Sequence, residues 1–129
     1  MSKQEYIRNW KLAHPEKVLA LQRKYRSKPE VKAKRKLYDY NYTRQLRMKV
    51  LGHYSNGALK CAHCGEVDLE VLCLDHINGR GNQQRRETGK SNGNGFYRWI
   101  ITNSYPEGFQ VLCANCNIRK YHKESRESQ

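Results

Sequence analysis

The chain is poor in the side chains that build large cores. Of its 129 residues, Leu, Ile, Val and Phe supply 24, and only two of these are Phe. A chain this polar and this charged buries too little apolar surface to offset the entropy of ordering it. A large self-sufficient core is therefore excluded. No apolar run approaches the roughly 18 residues that span a bilayer, and the first residues, MSKQEYIRNWKLAHPEK, hold no apolar segment of secretory type. These absences predict a soluble, intracellular, cytoplasmic protein with no membrane partner. Acids are scarce too: 12 Asp plus Glu stand against 25 Lys plus Arg, for a net charge of +13 and a pI near 9.7.

That excess charge is unevenly placed. Residues 1–50 hold 15 Lys or Arg against 4 acids, whereas residues 51–129 hold 10 against 8. The expected organisation is a basic helical arm over 1–50 and a second module over 51–129. Two of the three prolines, Pro15 and Pro29, lie in the arm, and each is followed by Glu. Proline suits the first turn of a helix and drives the residue before it out of helical geometry. Short helices are thus expected over about 3–13 and 15–27, with a longer one from 29 to about 50. The two Pro-Glu sites stand 14 residues apart, each with an aromatic upstream, Trp10 or Tyr25, a degenerate repeat too short for a solenoid. Val31, Tyr38, Tyr42 and Leu46 share one face and can dock the long helix lightly. Around them Lys32, Arg35, Lys36, Arg44 and Arg47 interleave with tyrosines, a surface suited to a phosphate backbone.

Five cysteines decide how so small a core is held. Their odd number, in a reducing compartment, argues against a disulfide framework. Cys61-Ala62-His63-Cys64-Gly65 has the form of a zinc knuckle: two thiolates two residues apart reach one ion while glycine permits the tight turn. A second pair, Cys113 and Cys116, precedes a stretch able to form a helix. Four thiolates close a zinc coordination sphere and leave no open position for chemistry, so Cys61, Cys64, Cys113 and Cys116 are expected to hold structural Zn2+. His63 is a weaker candidate ligand, and Cys73 reads as a small buried hydrophobe in a strand. The 48 residues between the pairs exceed a simple ribbon's spacer, so something is inserted.

The run Val71-Leu72-Cys73-Leu74 leads straight into Asp75-His76, and Asn117 follows the last cysteine. Asp and Asn oxygens are hard ligands suited to magnesium, which keeps several waters and takes few protein oxygens. A neutral histidine beside them can take a proton from water. These are the parts required for phosphodiester hydrolysis.

Through CAHC, LDHI and LCANCN, in that order, residues 54 to 122 resemble the HNH, or His-Me finger, endonucleases. The resemblance implies an α+β fold built on a small ββα-metal, treble-clef-like module stapled by zinc. By position it implies His76 as general base, with Asp75 and Asn117 binding a catalytic Mg2+ or Mn2+, and products with 5'-phosphate and 3'-hydroxyl ends. Asn in the last place is similar to the phage Holliday-junction resolving nucleases, and YPEGFQVLCANCN to phage-encoded HNH nucleases; a phage origin would place the protein in the host cytoplasm. The implied partner is DNA, duplex or branched, cut by a monomer or a homodimer. The family's middle Asn, which steadies the loop carrying the histidine, is here Gly108. Asn103, Asn115 and Gln110 are the candidates to replace it.

Residues 78–95, rich in Gly, Asn and Arg, are expected to form a flexible loop whose Arg80, Arg85 and Arg86 could neutralise phosphate. Residues 96–102 should form a short helix with Phe96, Trp99 and Ile100 in the core. Lys120 and Lys123 on the last helix are placed to touch DNA backbone, and His122 a surface or a phosphate. A non-catalytic zinc-finger protein binding DNA or RNA would share the basic arm and the cysteines, as would a zinc-containing assembly protein of a ribonucleoprotein. Only Asp75, His76 and Asn117 separate these readings from a nuclease.

Overall fold

A computed structural model describes residues 1–89 and 93–129. The chain is an α+β protein with α1 (Lys3–Ala13), α2 (Pro15–Ser27), α3 (Pro29–Tyr54), β1 (Leu72–His76), α4 (Gly81–Thr88), α5 (Asn94–Thr102), β2 (Phe109–Cys113) and α6 (Ala114–Glu127). It divides into two compact units, Met1–Asn41 and Tyr42–Gln129.

In the first unit the helices are set by local signals. Ser2 caps α1 in a reciprocal box with Glu5. Pro15 opens α2 and Pro29 opens α3, while Lys28 before Pro29 is extended, with φ −62° and ψ 134°. His14 ends α1, its Nδ1 meeting the Trp10 carbonyl oxygen at 3.0 Å and its ring stacked on the indole. Neither α1 nor α2 buries a residue. The apolar stripe expected along α3 is broken, because Tyr38 is exposed between half-buried Val31 and Tyr42.

The second unit carries the core. Its boundary falls at residue 41 rather than 50, because the last turns of α3 belong to it: Val50 and Leu51 are fully buried. Leu51 packs with Leu72, Val111, Leu112 and three of the cysteines, and Val50 with Phe96, Ile100 and Phe109. The strands β1 and β2 pair antiparallel, Leu72 opposite Cys113 and His76 opposite Phe109. The α5 helix contributes Phe96 and Ile100 to the core, with Trp99 half-buried beside them, as its apolar spacing predicts.

Two side chains pin the loops to α3. The Arg47 guanidinium donates from Nη2 to the carbonyl oxygens of Leu69 and Leu72, both at 2.6 Å. The Tyr54 hydroxyl donates to the Pro106 carbonyl oxygen at 2.5 Å, and burial pushes its pKa up to about 12.

The stretch 78–95 is not simply a loop. Gly81–Thr88 forms α4, supported by the Gln83–Glu87 side-chain bond and by Thr88 Oγ1 donating to the Gln84 carbonyl. Gly89 closes it in left-handed geometry, φ 63°. The rest of that expectation, at 90–92, lies outside the described residues.

Candidate functional site

The knuckle is built by backbone bonds. Gly65, at φ 79°, donates to the Cys61 carbonyl at 3.0 Å, Cys61 N–H donates to Glu66, and Ala62 N–H donates to Val111 of β2. This brings the first pair against the second, which sits where β2 passes into α6. Cys113 is the N-cap of α6, its sulfur accepting from Cys116 N–H at 3.4 Å. The sulfurs of Cys61, Cys64, Cys113 and Cys116 all lie within 4.8 Å of one another, and those of Cys64 and Cys113 are 3.6 Å apart. A tetrahedral Zn–S bond of about 2.3 Å spaces its sulfurs roughly 3.8 Å apart, so the donor set fits this ion. The four thiols differ in acidity. Burial opposes ionisation of Cys61, yet N–H groups of Cys64, Cys113 and His63 outweigh it and lower the thiol. Burial and then the neighbouring thiols raise Cys116. Four such groups ionise together only when a dication balances their charge.

Beside this cluster opens a cleft of about 830 Å³ lined by Asp75, His76, Gln84, Asn117 and Lys120 among others. Strand β1 delivers Asp75 and His76 at its C-terminal end, and the first turn of α6 delivers Asn117. Asp75 Oδ2 accepts from Gln110 Nε2 at 2.9 Å and from Lys120 Nζ at 2.6 Å. Its Oδ1 has no protein partner among the described residues. The Asn117 amide donates from Nδ2 to the Cys73 sulfur at 3.5 Å, and its Oδ1 has no protein partner among the described residues. The two oxygens not engaged in these bonds, Asp75 Oδ1 and Asn117 Oδ1, are both of the hard type.

His76 is enclosed by Phe109, with ring centroids 4.7 Å apart, and by Phe96 at 6.1 Å. Its Nε2 is hydrogen-bonded to Gln84 Oε1. Cys73 is half-buried rather than buried. Its thiol donates to the Leu112 carbonyl, and burial pushes its pKa up, as befits a neutral group orienting Asn117.

Other expected residues fall in several places. Arg80, Arg85 and Arg86 are exposed on and before α4, as are Lys32, Arg35, Lys36 and Arg44 along α3. Arg44 stands 3.9 Å from Glu70 and Arg35 3.8 Å from Asp39. Two cations are differently engaged. Arg47 is turned onto backbone carbonyls. Lys120, its side chain 14% exposed, also donates to the His76 carbonyl and lies 3.6 Å from Glu124.

At the place of the missing middle Asn, the Gly108 carbonyl accepts from Ile77 N–H at 2.9 Å. Of the candidates to replace that Asn, Gln110 reaches Asp75 and Asn103 bonds the Trp99 carbonyl of its own helix. The residue that hydrogen-bonds the His76 ring is Gln84, which composition alone does not single out. Its only sequence signal is a position eight residues after His76 in a segment that turns out helical.

Among the described residues no helix is long and apolar enough to cross a membrane. No family model matches the chain, and neither the curated proteins nor the solved structures contain a significant match to it.

Proposed function

We propose that this chain is a metal-dependent DNA endonuclease of HNH type. In this reading β1, β2 and α6 form a treble-clef-like ββα-metal module, the four cysteines hold structural zinc, and the basic helices position the DNA. One observation carries the reading: Asp75, His76 and Asn117 line a single cleft beside the four thiols, with two oxygen donors left over. Binding alone gives no reason for that convergence.

Asp75 and Asn117 would hold a magnesium or manganese ion. Such an ion neutralises charge on the scissile phosphate and on the leaving oxygen. The chain supplies the rest. Gln110 and Lys120 fix one oxygen of Asp75 and leave the other presented. Cys73 takes the amide N–H of Asn117, so that its oxygen is the atom offered. His76 would accept the proton of the attacking water in a pocket walled by Phe96 and Phe109. Arg85 of α4 lines the cleft, and with Arg80 and Arg86 it would neutralise flanking phosphates.

The second reading is a non-catalytic zinc-finger binder. What favours it is Lys120, whose ammonium already neutralises Asp75. Supercoiled plasmid incubated in magnesium, with and without EDTA, separates the two, with His76→Ala alongside. Relaxed or linear product is expected only with metal and His76, and the variant should lose about 100-fold or more in rate while binding DNA unchanged. Binding without cleavage of both plasmid and four-way junction would select the binder.

A further inference from the structure

We propose that Gln84 is the positioning residue for His76: it holds the imidazole with the proton on Nε2 and leaves Nδ1, beside Gly81, as the free base. The inference rests on the nuclease reading above and adds to it a residue and an atom. Two observations on α4 point the same way. Gln84 Oε1 is in hydrogen-bond contact with His76 Nε2; with that carbonyl oxygen as acceptor, the hydrogen sits on Nε2. The other ring nitrogen lies against Gly81, where a Cβ would stand 3.3 Å from Nδ1 and 3.5 Å from Cε1. The start of α4 is therefore bare where the lone pair must meet water, and its next turn carries the acceptor that fixes the ring.

Position adds to this argument. A histidine at the end of a strand is free to turn about two side-chain bonds, and its tautomer is set by whatever the second nitrogen bonds. The aromatic neighbours Phe96 and Phe109 offer no acceptor, and Lys120 takes the His76 backbone carbonyl, not the ring. Among the described residues only Gln84 hydrogen-bonds the imidazole. Because α4 buries no residue, replacing Gln84 removes an orienting contact and not a piece of core.

The test uses the full chain, loaded with zinc. Nitrogen-15 spectra of His76 at neutral pH should show the Nε2–H tautomer in the wild-type protein and a mixture in Gln84→Leu. In magnesium, single-turnover cleavage by Gln84→Leu should fall about tenfold or more, with DNA affinity and zinc content unchanged. Gln84→Glu, whose carboxylate can accept the same hydrogen, should recover most of the rate. Gly81→Ala, a better helix former at a site of ordinary backbone geometry, should slow cleavage while α4 stays folded. An Nδ1–H tautomer in the wild type would overturn the proposal, as would wild-type cleavage by Gln84→Leu, or slow cleavage with the tautomer unchanged and no rescue by Glu. If the wild-type protein cuts neither plasmid nor junction, the nuclease reading falls; the tautomer spectra still decide the role of Gln84.

Discussion

The two units are stabilised by different means. Residues 1–41 hold 12 Lys or Arg against 4 acids, and neither of the helices wholly within them buries a side chain. Their structure comes from a capping box, prolines at helix starts and the breaks before them. Isolated helices of 11 and 13 residues are marginal in water, so local capping signals carry more of the weight here than in the second unit. Residues 42–129 contain both apolar clusters, and three of the four clustered cysteines sit inside one of them. There, the thiol cluster and the core are built from the same residues.

The largest effect should come from breaking that coupling. Cys113 is at once a member of the four-thiol cluster, the cap of α6 and a core residue opposite Leu72. Binding of structural zinc contributes about 10–16 kcal/mol in small domains, as much as or more than the net stability of about 5–15 kcal/mol of an ordinary domain. Cys113→Ser, or removal of zinc by a strong chelator, should therefore unfold residues 42–129 outright. Each unit holds one tryptophan, which makes the outcome readable: Trp99 emission should shift to the red in a Trp10→Phe background, while Trp10 emission in a Trp99→Phe background should not. A folded, zinc-free Cys113→Ser protein would show that the apolar clusters suffice.

Next in size is removal of the arm. Deleting residues 1–41, and not 1–50, spares Val50 and Leu51 and should leave the second unit folded. Each phosphate neutralised contributes about 0.9 to the slope of log affinity against log salt. The truncated protein should bind DNA about 100-fold more weakly at moderate salt, with a shallower slope, yet should still cut at low salt with its Asp75, His76 and Asn117 intact. An unchanged slope would move the DNA contacts out of the arm and onto the second unit.

How much of this was legible in the chain follows from the range over which each feature is determined. Helix breaks at Pro15 and Pro29, the knuckle at Cys61–Gly65 and the strand running into Asp75-His76 are encoded within a few residues of themselves, and the structure has them where the spacing places them. α4 was hidden because NQQRRET has no apolar period to betray a helix, and Gln84 was hidden with it. The contacts of Lys120 and Arg47 are illegible for another reason. Both are cations in cation-rich stretches, and only tertiary contact with Asp75, or with carbonyls more than twenty residues away, distinguishes them from neighbours that face solvent. The arm's boundary moved for the same cause: composition changes near residue 50, but packing begins at Tyr42.

Arg47 sharpens the comparison between the units, because by charge it belongs with the arm and by contact with the core. Its Nη2 serves Leu69 and Leu72, and its Nε is buried without a hydrogen-bond partner among the described residues. Arg47→Met keeps much of the aliphatic stem but strands two carbonyls, while relieving the unpaired Nε. Charged hydrogen bonds of this kind are worth about 1.5–3 kcal/mol each, and an unpaired polar atom costs about 1–3; the net loss should be about 2 kcal/mol. Chemical denaturation of the zinc-loaded protein measures it. The salt slope of DNA binding should stay the same in Arg47→Met, whereas Lys36→Met, on the exposed part of α3, should leave stability alone and reduce the slope by about 0.9. A changed slope in Arg47→Met would return that residue to the phosphate-binding surface and erase the distinction between the two cations.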